Sequence, residues 1–319
     1  PGSRTMTALL LSPAVATTTA QAQAWPERPI RIIVPFPAGG AADLQTRAFA
    51  DAFGTALGQR IVVDNRSGAA GNIGTDAAVR APADGYTLVI GGPNVINNRY
   101  LFRDTPFVWE RDLLPLGLMF ANPNVLVVHS SVPATTVPEF VAQLRANPGR
   151  LNFGSAGVGG SIHLSAMLFM QITGTEMVHV PYRGDALARA DLTTGAIHVM
   201  FNAIPSSIDP VRLGQWRAIA TTGLTRAAAM PELPTLQEAG LDGYVVMSWQ
   251  GLFAPAGVPP AIVARLREGF DAAFASAEAR AQFGRLGTIP APSTPAEHLA
   301  FMQAQERVWA PVLRQLPPQ

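Results

Sequence analysis

Residues 30–43 read Ile30-Arg31-Ile32-Ile33-Val34-Pro35-Phe36-Pro37-Ala38-Gly39-Gly40-Ala41-Ala42-Asp43. The β-branched run Ile30–Val34 predicts a buried strand, Pro35–Gly40 a turn, and the residues from about Ala42 to Leu57 a helix. A glycine pair between a buried strand and a helix lets the backbone approach a ligand closely and aims free N–H groups at it. The helix start adds partial positive charge, worth about 0.3–1 kcal/mol toward an anion. Asp43 either meets a donor on a ligand or completes the first turn of an ordinary tight connection, and this stretch alone leaves both open.

The same strand, glycine turn and helix recur further on. A strand at Leu151–Phe153 runs into Gly154-Ser155-Ala156-Gly157-Val158-Gly159-Gly160, and a helix follows over Ser161–Thr173. Other strands are expected at Ile61–Val63, Thr87–Ile90, Val125–Val128, Met177–Val180, His198–Phe201 and Arg217–Ala220. Helices are expected at Gly71–Arg80, Val137–Arg145, Leu187–Thr194, Pro259–Ala275 and Pro295–Leu313, the last two starting at proline, which suits the first helical position. Continuous apolar strands alternating with helices predict an α/β chain with parallel sheets covered on both faces. Two such units in separate halves predict two α/β domains facing one cleft. No period of roughly 20–50 residues recurs, which argues against a solenoid or propeller.

Composition narrows the chemistry. Of 319 residues, 48% are hydrophobic and 14% charged, with a net charge of +1. That charged share lies well below the ~25% of an average soluble domain. It argues against a disordered chain and against a binder of phosphate backbones, so no nucleic-acid partner is expected. No stretch approaches ~18 uninterrupted apolar residues, so no membrane-spanning helix is expected. Cysteine is absent, which excludes disulfides, Cys-ligated zinc, iron–sulfur clusters and thiol nucleophiles. All 23 basic residues are arginine, which excludes a pyridoxal Schiff base and a phosphate-loop lysine. At the N-terminus, Pro1-Gly2-Ser3 reads as a vector remnant. Arg4, the apolar run Ala8–Ala16 and Ala22-Gln23-Ala24 then read as a cleavable secretory signal ending before Trp25. An exported chain without cysteine suits the bacterial periplasm.

The second glycine turn fits none of three sharper motifs. A nucleophile elbow needs glycine where Phe153 stands, a dinucleotide fingerprint started by Gly157 and Gly159 fails at Ile162, and a phosphate loop lacks its lysine. His163 offers itself as a base or ligand, or as a packed first-turn residue. The remaining histidines (His129, His179, His198, His298) have no paired metal-ligand spacing, so no metal is expected. Tyr182 after one strand, and Asn94, Asn202 and Trp249 after others, are single candidates at cleft edges.

Taken in order, these segments resemble the Bug/TctC-type periplasmic solute receptors of tripartite tricarboxylate transporters. The resemblance rests on WPERPIRIIVPFPAGGAAD (25–43), the GSAG…HL turn (154–164), VPYRG (180–184), Asp191 to Gly195, and SWQGLFAPAGVPP (248–260). It implies a type II periplasmic-binding-protein fold, whose two lobes of helix-flanked sheet are joined by crossing strands. One lobe would comprise 25–125 with 247–319, the other 126–246. It also implies a ligand carboxylate held between the two turns by backbone groups rather than by a charged side chain. Carried onto this chain, the contacts are Ala38, Gly39, Gly40, Ala41 and Asp43 on one side. Ser155, Ala156, Gly159, Gly160, Ser161 and His163 form the other, with Asn94, Tyr182, Asn202 and Trp249 around them. Two departures stand out. Gly160 replaces the family's usual Ser or Thr, and Asn98-Arg99-Tyr100-Leu101 replaces Asn-Pro-x-Leu, which would bring Arg99 toward a second carboxylate.

The implied function is non-catalytic capture of a small organic carboxylate by a periplasmic monomer, without cofactor, for delivery to membrane transport subunits. A sensor acting on a signalling partner remains open, as does a hydrolase using Ser155 or Ser161 with His163 and Asp191. Amino acids, aromatic acids, dicarboxylates and tricarboxylates all remain possible ligands.

Overall fold

A computed structural model describes residues 25–314, so the expected leader at 1–24 lies outside the described residues. Strand β1 (Ile30–Val34) pairs in parallel with β2 (Ile61–Asn65) and β3 (Thr87–Gly91). Parallel strands need connections that leave the sheet, and these are α1 (Ala41–Leu57) and α2 (Asn72–Val79). After β3 come α3 (Pro93–Leu101) and the short α4 (Trp109–Asp112).

Strand β4 (Leu113–His129) then crosses the molecule. Its first part pairs antiparallel with β9 (Met247–Pro255), and from Asn124 it pairs antiparallel with β7 (Val199–Ala203) and β8 (Trp216–Thr221). Between them lie α5 (Val137–Ala146), β5 (Asn152–Ser155), α6 (Ser161–Thr173), β6 (Val178–Pro181), α7 (Asp185–Thr194) and α8 (Ile208–Arg212). The described chain closes with α9 (Pro260–Ala275), α10 (Ala277–Arg285) and α11 (Pro295–Leu313). The nine strands run β2-β1-β3-β9-β4-β7-β5-β6, with β8 also on β4.

The expectation of wholly parallel sheets is corrected: each half is parallel at its outer strands and antiparallel where β4 and β9 meet it. The chain enters the second half along β4 and returns along β9, so the two crossing strands must run in opposite directions. Pro115, Gly117 and Pro123 interrupt the apolar pattern of β4, and its register against β9 shifts at two bulges. Thr222 ties the crossings together. Its hydroxyl accepts from the Asn124 N–H at 2.7 Å and donates to the Val246 carbonyl at 2.6 Å.

Both faces of each half-sheet are covered. On the first half, Phe49, Phe53, Phe120, Phe270, Phe274 and Phe283 fill one face, and Trp109, Trp249, Phe253 and Met302 the other. On the second, Phe140, Phe153, Phe169 and Phe201 lie on one side and Val125, Leu192 and Met200 on the other. Leu101 of α3 and Trp309 and Leu313 of α11 join the Phe140–Phe169 core, so these two helices also support the second half. No helix among the described residues is long and apolar enough to cross a membrane.

Candidate ligand-binding site

Four helices begin at one place between the two half-sheets. Their N-caps are Gly40 for α1, Gly92 for α3, Gly160 for α6 and Gly184 for α7, and none of the four has a side-chain cap. A helix N-terminus leaves backbone N–H groups without intrahelical partners. Residues from all four starts line a single cavity of about 90 Å³: Ala41 and Ala42, Gly92 to Asn94, Gly160 to Ile162, and Asp185. Phe36, Ile90, Ala156, Val158, Ala203, Ser248, Trp249 and Gln250 complete much of the wall, and no arginine lines it.

The two glycine turns share one geometry. Gly39 and Gly159 have φ of 80° and 83°; the following caps Gly40 and Gly160 have φ −78° with ψ of 169° and 168°. Positive φ suits glycine because it has no Cβ. In each turn the first glycine's N–H donates to the side chain four residues on. Gly39 reaches Asp43 Oδ2 at 2.9 Å and Gly159 reaches His163 Nδ1 at 3.2 Å.

Asp43 is thereby committed to its own turn. Burial pushes its carboxyl up, but bonds from Arg47, the Gly39 N–H and Asn65 outweigh this and hold it below the ordinary value. His163 is buried and held neutral, its pKa lowered to about 3 by desolvation and by neighbouring His179. The two imidazole rings lie 4.5 Å apart.

Of the expected contacts, Ala41, Asn94, Ala156, Gly160, Ser161 and Trp249 line the cavity. Ala38, Gly39, Gly40 and Asp43 belong to the first turn and Ser155, Gly159 and His163 to the second, and none of them lines the cavity. Asn94 Nδ2 and Trp249 Nε1 are buried donors without a hydrogen-bond partner. Tyr182 instead lines an adjoining cavity of about 220 Å³ with Phe36, Ala70 and Gly157. Its hydroxyl donates to Asp191 at 2.5 Å, and burial together with that carboxylate raises its pKa to about 12. Asn202 is fully buried one layer back, donating to Ser206 and Ser207 at 3.1 and 2.8 Å.

Two expectations are corrected. Arg99 does not line the cavity; its guanidinium pairs with Glu110 and, at 3.1 Å, with Glu306. Ser155, 0% exposed, meets His179 Nε2 at 2.7 Å rather than His163, and Asp191 is taken by Tyr182. The Ser155–His163–Asp191 grouping therefore does not form.

Asp185 was missing from the expected set. In sequence Asp185 falls between VPYRG (180–184) and the helix expected from Leu187, and an acid at a helix start is ordinarily a complement to the helix dipole. The structure instead places Asp185 in the cavity wall, 8% exposed, with its Oδ1 against the first glycine turn of the opposite half and with the Ala41 N–H, its own N–H and Ser206 favouring its charged form. Burial raises its pKa despite Arg189 and these groups. Arg189 lies 3.6 Å from Asp185 Oδ2 and donates to the Gly39 carbonyl at 3.1 Å. Asn97 closes the other side, donating to the Gly159 carbonyl at 2.9 Å.

A cavity between two α/β lobes joined by crossing strands defines a periplasmic-binding-protein fold. Residues 45–316 match the tripartite tricarboxylate transporter family receptor, and the chain belongs to that family. It is 35% identical to the UPF0065 protein in the tcbD-tcbE intergenic region of Pseudomonas sp. (strain P51), over 96% of this chain and 92% of that one. To protein BugT of Bordetella pertussis it is 33% identical, over 92% and 91%. Among solved structures, R. palustris Rpa4515 with adipate superposes with a TM-score of 0.88 at 33% identity, covering 92% of this chain and 100% of that one. MatC of Rhodopseudomonas palustris with bound malate does so with a TM-score of 0.85 at 28% identity, covering 91% and 100%.

Proposed function

We propose that the chain is an extracytoplasmic receptor that captures a small organic carboxylate and hands it to the membrane subunits of a tripartite transporter. Its lobes are residues 25–125 with 247–319 and residues 126–246, and it works as a periplasmic monomer whose leader is removed on export. The observation that carries this reading is the convergence of four glycine-capped helix starts on one cavity with no basic lining residue. Each helix start supplies about half a positive charge, and hydrogen bonds to a carboxylate contribute about 1.5–3 kcal/mol each. Of the two glycine turns, the one at the start of α6 puts Gly160, Ser161 and Ile162 on the cavity wall with no carboxylate of the chain against its cap. Adipate and malate in two structural relatives fit the same chemistry.

Capture rather than catalysis is supported by the state of the candidate nucleophiles. Ser155 is sealed from the cavity, and His163, the nearest base in sequence to Ser161, already accepts the Gly159 N–H. A thermal-shift panel of mono-, di- and tricarboxylates, aromatic acids and amino acids tests the reading. Ligand at 100 times its Kd adds about 2.7 kcal/mol, or several degrees at about 2–4 °C per kcal/mol. A rise confined to one class is the expected result. A flat response, with no co-purified solute in mass spectra of the denatured protein, overturns it.

A further inference from the structure

Asp185 sets a puzzle that the capture of a carboxylate does not solve. An acid stands in the wall of a cavity built to hold an acid. Its Oδ1 lies against the first glycine turn, where a Cβ on Gly40 would fall 2.4 Å from it. The start of α1 is thus already supplied with a carboxylate, from the chain's own α7. Asp185 Oδ2 is buried and has no hydrogen-bond partner, only the looser ion pair with Arg189 at 3.6 Å. Gln250 Oε1, on the same cavity wall, is a second buried acceptor without a partner.

The charges around the cavity lead to the same point. Four helix starts bring about +2 in partial charge at most, and Asp185 offsets about half of it. Arg189 balances Asp185 only from behind, because it does not line the cavity and spends one nitrogen on the Gly39 carbonyl. What remains suits one further carboxylate. The same wall carries two unpartnered donors, Asn94 Nδ2 and Trp249 Nε1, but a second carboxylate opposite the α6 start would still face Asp185 and Gln250 Oε1 with no basic side chain to separate them. A cationic donor in that place would instead satisfy acceptors that are otherwise buried unpaired, which is costly.

We infer that Asp185 is a specificity-determining residue, and that the ligand is a small amino acid whose carboxylate sits at the start of α6 and whose ammonium meets Asp185. This rests on the receptor reading above and names its substrate class. It separates this chain from the relatives solved with the dicarboxylates adipate and malate.

The test is calorimetry on the full chain with short acids of graded length. Each carries a carboxylate at one end and either a methyl, an ammonium or a second carboxylate beyond it, with α-amino acids included. The ammonium member should bind at least ~tenfold more tightly than the dicarboxylate of equal length, the range expected for a hydrogen bond between charged groups. In Asp185→Asn that ratio should fall by at least ~tenfold, and in Asp185→Glu it should recover in part. A dicarboxylate that binds the unaltered chain as tightly as its amino counterpart overturns the inference, without need of any variant. So does a ratio unchanged in a folded Asp185→Asn. If no member of any class binds, the carboxylate-receptor reading falls, and this inference falls with it.

Discussion

The turn at 38–43 and the turn at 158–163 are near copies in backbone. Each has a glycine at positive φ, a glycine cap with the same φ and ψ, and a first helical bond of 3.0 Å, from Leu44 to Gly40 and from Leu164 to Gly160. Their side chains make them different devices. The first is locked by an acid, Asp43, and is met from across the cleft by Asp185. The second is locked by a neutral imidazole, and its helix start opens on the cavity. One backbone solution thus supplies a lobe-to-lobe contact in one half and a stretch of open cavity wall in the other.

The largest effect that separates the turns is their response to acid. His163 and His179 have folded pKa values of about 3 and about 4 against an ordinary value of 6.5. A depressed folded pKa means the unfolded chain binds the proton first. Their contribution is therefore complete above pH 6.5 and is lost as pH falls toward the folded values. Asp43 is lowered from 3.8, so its contribution is complete above that value and lost only below it. Between pH 6 and 4.5 the second turn should weaken while the first holds, by up to about 2.7 kcal/mol per pH unit for two histidines. Denaturation midpoints against pH should show a slope about 1.4 kcal/mol per unit shallower in His163→Gln. His298, also lowered to about 3, is present in both proteins and cancels from the difference. Coincident slopes would mean that the turns do not differ in this way.

Next in size is the cost of a methyl on the first glycine of each turn. Gly39→Ala and Gly159→Ala both force alanine to positive φ, at about 1–2 kcal/mol. A Cβ at Gly39 meets nothing within 4 Å, whereas at Gly159 it falls 2.4 Å from Leu101 Cδ1. Leu101 is 0% exposed and belongs to the Phe140–Phe169 core, so it has little room to yield. Overpacking of that kind adds about 1–3 kcal/mol. Gly159→Ala should therefore be clearly the less stable variant in denaturant titrations, and equal losses would contradict the contact with Leu101.

Much of this was legible in the sequence. Ile30–Val34 and Ser161–Thr173 are read with the bounds the structure shows, because β-branched runs and apolar periodicity dominate there. The first part of β4 and all of β9 escaped, since proline and glycine interrupt their apolar runs and two bulges shift the register of β4 against β9. The turns were legible as glycine pairs, but their partners were not. Asp185 lies 145 positions from Gly40, and nothing local distinguishes it from an ordinary first-turn acid. Arg99 failed for the opposite reason: a charge near a motif suggested the cleft, while Glu306, 207 residues away, held it outside.

The smallest effect separates the caps themselves. Gly40 and Gly160 both have φ that alanine adopts freely, and replacing glycine at an N-cap costs each turn alike. At Gly160 the added methyl would meet nothing nearer than the Gly157 carbonyl at 4.0 Å. Stability should barely change, but the methyl enters the cavity where the ligand carboxylate is proposed to sit. At Gly40 the methyl would fall 2.4 Å from Asp185 Oδ1 and push that buried carboxyl away from the first turn, at about 1–2 kcal/mol more than in Gly160→Ala, the lower part of the range for overpacking. The pair should therefore split two readouts. Gly40→Ala should lower Tm by the larger amount, and Gly160→Ala should lose ligand affinity while melting close to the unaltered chain. If Gly160→Ala binds as well as the parent, the ligand carboxylate does not sit at α6 as proposed; if the two variants melt together, the contact between Asp185 and the first turn contributes nothing in solution.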